Sequence, residues 1–171
     1  MIEITKLQKK QLLLINHLKI AGTNLFKLKI NDSLSPIGWH IIHCLYVECI
    51  WIRSYFNNDN LLVNKLKDIA DGIKIKPENR GLVLPDYNYL YEFSKNEFNK
   101  NLVVCNNVKE KKKLNYFLQF LINHHSQHLE TIKIILNLIN LKNKKASNKN
   151  FSKIEEKNFN FDPIYVKEGY Y

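Results

Sequence analysis

The chain has 171 residues, 45% of them hydrophobic, and a formal net charge of +10. This is enough chain for one domain with a real core and a tail. The charge comes from lysine, with only two arginines, Arg53 and Arg80, which argues against nucleic acid as the partner because guanidinium forks are its preferred contacts. Cys44, Cys49 and Cys105 are odd in number and form no CxxC pair. This argues against a disulfide framework and fits a reducing compartment. Leu12-Leu13-Leu14-Ile15 is too short for a signal-peptide core. The apolar stretch from Ile132 to Leu141 is broken by Lys133, Asn137 and Asn140 and is too short to span a bilayer. The expectation is a cytoplasmic protein without a membrane partner.

In chain order, the first predicted helix runs from about Ile2 to Lys27. Ile4, Leu7, Leu14, Leu18, Ala21 and Leu25 recur on one stripe, with Gln11 as a polar interruption. Asn31-Asp32-Ser33 breaks it. Ser35 is the expected N-cap of the second helix and Pro36 its first residue. That helix continues to about Phe56 and ends at Asn57-Asn58-Asp59-Asn60. A short amphipathic piece, Leu61 to Ile69, leads into an irregular segment from Asp71 to Pro85. Pro85-Asp86 opens the third long helix, which extends to about Val104. The fourth runs from about Val108 to Leu141. The expected fold class is all-α: an antiparallel four-helix bundle over residues 1–142, with a long connection between its second and third helices. A basic polar linker, 143–163, and a short strand, 164–171, make a non-helical C-terminal tail.

Five of the six histidines lie in two stretches, one holding His40 and His43 and the other His124, His125 and His128. Leu114, Phe117, Leu121, His124, His128, Thr131, Ile135 and Leu138 form a seam at steps of three and four, so His124 and His128 point inward one turn apart. Trp39, His43, Tyr46, Val47 and Ile50 share a face of the second helix, which turns His43 inward too. Three imidazoles from facing helices make a facial ligand set with coordination positions left open, as a catalytic metal needs. His40 and His125 fall off these faces, as surface residues or supports behind the ligands. Glu130 lies about 200° around the helix from His128. It supports the site from behind or anchors a neighbouring helix. His17 is isolated and takes no role.

The run S-P-x-x-W-H-x-x-H from Ser35 to His43, followed by H-x-x-x-H-x-E from His124 to Glu130, resembles the DinB-like domain. More narrowly, it resembles the amino-terminal domain of ergothioneine-biosynthesis sulfoxide synthases. Lys76 through Arg80-Gly81, Leu84-Pro85, and the helix with Tyr87, Leu90 and Tyr91 extend the likeness over about Leu12 to Leu141. The resemblance implies a non-haem Fe(II) held by His43, His124 and His128. It implies O₂-dependent joining of a small thiol to a trimethylated histidine, a histidine betaine. It makes Arg80 a binder of the thiol substrate's carboxylate. In that family a second domain, similar to formylglycine-generating enzyme, supplies a catalytic tyrosine, and Ile164 to Tyr171 resembles that domain's first strand. A separate chain carrying it is the expected partner, so activity alone is not expected. His125 departs from the pattern, where relatives often carry Glu.

Two other readings stand beside this one. A free-standing DinB-like thiol transferase would use the same three histidines with Zn, Ni, Mn or Fe, among which imidazoles do not choose. A basic helical binding module, or an inactive remnant of the enzyme, would use Lys109-Glu110-Lys111-Lys112-Lys113 and the lysine-rich tail instead. Those lysines also suit an ordinary solvated helix start.

Overall fold

The computed structural model describes residues 2–147, with side chains through 143. Among the described residues the regular structure is all helix, with no strand, in five helices. Helix α1 spans Ile2–Leu25 and buries Ile4, Leu7, Gln11, Leu14, Ile15, Leu18 and Ala21, the expected stripe with its polar interruption included. Gly22 interrupts it at φ 58 and ψ -169, a region essentially reserved for glycine. The helix therefore ends two residues before the predicted Lys27.

Helix α2 begins at Ile37 and remains α-helical to Glu48. Pro36 is its N-cap, in extended conformation, and Ser35 is not. The Ser35 hydroxyl is buried and accepts a hydrogen bond from Arg80 instead. From Cys49 to Ser54 the helix widens into π-helical turns. The widening shifts the helical register within this stretch, and Ile52 and Arg53 both end up buried. A last α-turn, Tyr55–Asn57, closes at Asn58, whose φ is 53.

Helix α3, Leu61–Ala70, lies inside the long connection and turns Leu62, Leu66 and Ala70 inward against α2. The Asp71 carboxylate then accepts from the backbone of Ile73 and Lys74, which turns the chain. Helix α4, Tyr87–Asn107, starts where Asp86 caps the Tyr89 amide at 3.0 Å and runs three residues past the predicted Val104. Helix α5 is Lys111–Ser147. It passes the predicted end at Leu141, so the first residues of the predicted polar linker are helical. The remainder of that linker and the predicted strand 164–171 lie outside the described residues.

Helix α1 packs on α2, α4 and α5, and α2 also packs on α3, α4 and α5. The larger apolar cluster gathers around Leu14, Leu18, Trp39, Ile42, Leu45, Leu90 and Ile132. A second holds Leu7, Ile52, Cys105, Leu114 and Leu121. Among the described residues no helix is long and apolar enough to cross a membrane.

Candidate metal centre

The imidazoles of His43 on α2 and of His124 and His128 on α5 come together. One ring nitrogen from each lies within 4.8 Å of the other two. The ring centroids stand 5.2 Å apart for His43 and His124, 4.9 Å for His43 and His128, and 4.5 Å for His124 and His128. All three rings are half-buried, at the edge of the apolar core.

Each of these rings has its Nδ1 occupied by a neighbour. His43 Nδ1 donates to the Ala70 carbonyl at 2.8 Å, at the end of α3. His128 Nδ1 meets His40 Nδ1 at 2.7 Å. His124 Nδ1 faces His125 Nδ1 at 3.4 Å. The Nε2 atoms of His124 and His128 approach to 3.2 Å. Two imidazole nitrogens on one zinc-like ion, each about 2.0–2.1 Å from it at a near-tetrahedral angle, stand about 3.3 Å apart. The observed spacing therefore fits an edge of a coordination polyhedron. Metal-bound histidines characteristically give their other N–H to a carbonyl or carboxylate, as His43 does, whereas His124 and His128 meet imidazole nitrogens there.

Electrostatics favour neutral ligands. Burial, then the neighbouring imidazoles, pushes His124 down to about 3 and His128 down to about 2. His40 falls to about 4 through burial first, with His43 and Arg80 adding to it. Burial also lowers His43, opposed by its bond to Ala70. Neutral imidazole is the form that binds metal, so no proton has to leave at neutral pH.

Two rings frame the centre. Trp39 stacks on His43 at 4.6 Å, and Phe120 on His124 at 5.9 Å. Gly72 passes close behind, where a Cβ would come to 3.3 Å from His43 Cε1. A larger residue there would press directly on the His43 ring. Arg80 lies over Trp39 at 3.9 Å and donates to the Ile75 carbonyl, the Ser35 hydroxyl and the Gly72 carbonyl. It thus stands one ring away from the centre and pins the 72–80 loop. One N–H on each of its terminal nitrogens remains for a ligand.

Several sequence expectations need correction. Of the two placements expected for His40, the surface one is excluded: it is 5% exposed, and its Nδ1 meets His128 Nδ1 on the side expected of a supporting residue. His125 is 0% exposed and faces the core. The buried line of α5 runs through Leu114, Leu118, Leu121, Ile122, His125, Leu129, Ile132, Ile135 and Ile139, so Leu114, Leu121 and Ile135 of the expected seam lie on it, whereas His124 and His128 lie on its flank. Glu130 is exposed and has no place behind the ligands.

Sequence reasoning misses the residues behind His125. Its Nε2 is 2.7 Å from Oε1 of Glu48, a carboxylate with no solvent exposure. Glu48 also takes Gln11 Nε2 at 2.9 Å and Asn101 Nδ2 at 2.8 Å. Asn101 in turn accepts from Arg53, which pairs with Glu97 at 2.7 Å. Burial raises Glu97, but hydrogen bonds from Lys100 and Arg53 outweigh it and hold the carboxyl below its usual range. The available signals are a single acid inside the apolar run Leu45 to Ile52, and Gln11 on an otherwise apolar stripe.

A second grouping, Cys44 with His124 and His125, also brings three ligand atoms within 4.8 Å. Burial, and then the Glu48 carboxylate, pushes the Cys44 thiol well up, which opposes the thiolate that a metal needs. Cys49 and Cys105 are likewise raised to about 12, mainly by burial. Comparison with protein-family models, with curated proteins and with solved structures finds no match to the chain.

Proposed function

We propose that this chain holds one mononuclear transition-metal ion through Nε2 of His43, His124 and His128, with coordination positions left open for a substrate. The observation that carries this reading is the convergence of three neutral imidazoles, each with its Nδ1 already engaged. An all-imidazole set suits iron, nickel and zinc. The resemblance to the sulfoxide synthases selects Fe(II) as the occupant and a cytoplasmic oxygenase component as the role. In that reading α1, α2, α4 and α5 form the four-helix bundle of the DinB-like domain, and α3 is an addition within its long connection.

Bound there, Fe(II) would supply O₂ activation for joining a thiol to a histidine betaine. The chain's own contribution is positional. Ala70, His40 and His125 orient the ligand rings, Trp39 and Phe120 wall two of them, and Arg80 offers its two remaining N–H groups to a carboxylate.

Metal content of anaerobically purified protein, measured beside His43→Ala, tests the proposal. About one iron per chain, lost in the variant, is the expected result for this ligand set. Zinc or nickel at that ratio would replace the oxygenase role with a thiol-transferase one. No metal after loading would end the metal reading.

A further inference from the structure

We infer that Glu48 and His125 form a positioning relay that sets the tautomer of His124 and aims its Nε2 at the metal. The inference rests on the three-histidine centre proposed above and adds two residues that do not touch the ion.

The argument starts from Glu48. Each polar neighbour presents it with a donor: Gln11 Nε2 to both oxygens, Asn101 Nδ2 to Oε2 and His125 Nε2 to Oε1. These donors come from α1, α4 and α5, so three elements fix one carboxylate on α2. With its oxygens so engaged, Glu48 acts as an acceptor towards the ring of His125. A neutral imidazole that gives its Nε2–H away keeps its lone pair on Nδ1. In His125 that nitrogen faces His124 Nδ1 at 3.4 Å. His124 then places its hydrogen on Nδ1 and its lone pair on Nε2, beside His128 Nε2.

The opposite tautomer would put a hydrogen where the metal belongs. It would also turn the His124 lone pair toward Cys44 and His125, the second grouping of ligand atoms. The relay therefore selects one of two overlapping sites. Metal affinity commonly falls about 10–100-fold when such an outer partner is removed. His125 packs edge-on against Phe98 at 6.2 Å, so a phenyl ring fills its place while removing both nitrogens.

The test is Co(II) affinity of the full chain, by competition with a chelator, for the wild type, Glu48→Gln, His125→Phe, Gln11→Met and His43→Ala. Circular dichroism checks folding. Glu48→Gln and His125→Phe are expected to bind the ion about 10–100-fold more weakly at unchanged stoichiometry. Gln11→Met, which removes a donor to Glu48 but leaves His125 alone, is expected to lose stability and keep its affinity. His43→Ala is expected to lose the site.

Unchanged affinity in both relay variants, with the metal lost from His43→Ala, would overturn the relay and leave the centre standing. An equal loss in Gln11→Met would assign the effect to general loosening and overturn it as well. Metal retained by His43→Ala would remove the centre itself. If the relay variants do not fold, imidazole nitrogen NMR of the metal-free wild type decides. A hydrogen on His124 Nδ1 supports the relay, and one on Nε2 overturns it.

Discussion

Two polar regions lie side by side in this protein and are finished differently. In the sealed layer around Glu48, donors from Gln11, Asn101 and His125 meet one carboxylate, and Arg53 meets Glu97 and Asn101. In the histidine corner, ring nitrogens of His43, His124 and His128 converge within 4.8 Å of one another, and His40 Nε2 behind them is buried with no partner. The first region balances its own hydrogen bonds. In the proposed reading, the second is completed by a cation at its centre. A buried polar cluster thus reads as structure when its donors and acceptors cancel, and as a ligand site when one kind is left over.

The largest expected effect comes from breaking the sealed layer. Glu48→Ala strands donors from Gln11, Asn101 and His125 in the core, and each orphaned group costs about 1–3 kcal/mol. The sum is a large part of the about 5–15 kcal/mol that holds a domain together. Urea unfolding of the metal-free protein should show a loss above about 3 kcal/mol. A loss below about 1 kcal/mol would mean that the layer does not depend on its carboxylate.

The corner should respond in the opposite sense. His128→Ala is expected to abolish stoichiometric metal binding and to cost the metal-free fold far less than Glu48→Ala. A metal at a hundred times its Kd adds about 2.7 kcal/mol of stability, so adding chelator should lower the wild-type melting temperature and leave that of His128→Ala unchanged. A variant that keeps its metal would show that the converging nitrogens are not the ligands.

Acid separates the regions further. Unfolded imidazoles titrate near 6.5, whereas folded His40, His124 and His128 are held to about 4, 3 and 2. Between those values the unfolded chain binds more protons, so stability rises with pH. The contribution is whole above about 6.5 and is lost progressively as pH falls toward the folded values. Urea midpoints of the metal-free protein should therefore drop between about pH 7 and pH 5. The drop should be smaller in His128→Ala, which has one depressed ring fewer. A flat profile would place these rings in water.

Much of this is legible in the sequence, and the losses have physical causes. The stripe from Ile4 to Ala21 is clean because α1 buries one face, and the three histidines that the structure brings together emerge from helical spacing. The phase of α5 is ambiguous because two neighbouring lines of that helix both carry apolar residues, and steps of three and four fit either. Choosing the line through His124 and His128 displaces His125 to the outside. Glu48 decides the matter, since a fully buried acid needs a partner, but no local pattern reveals which helix supplies it. The π-helical turns at Cys49–Ser54 leave no such mark either, and they decide which way Arg53 points.

The smallest expected effect belongs to Glu130. The pattern H-x-x-x-H-x-E suggests that the acid serves the histidine two residues before it, yet Glu130 is exposed, and His40 already occupies the back of His128 at 2.7 Å. Glu130→Ala should change stability by no more than about 0.5 kcal/mol and leave Co(II) affinity as it was. His40→Ala should keep one metal per chain but hold it more weakly, because His128 Nδ1 then loses its partner. The pair of variants isolates geometry from sequence proximity. Equal weakening in both would put the carboxylate back behind the ligand, and weakening in His40→Ala alone assigns that support to the helix across the corner.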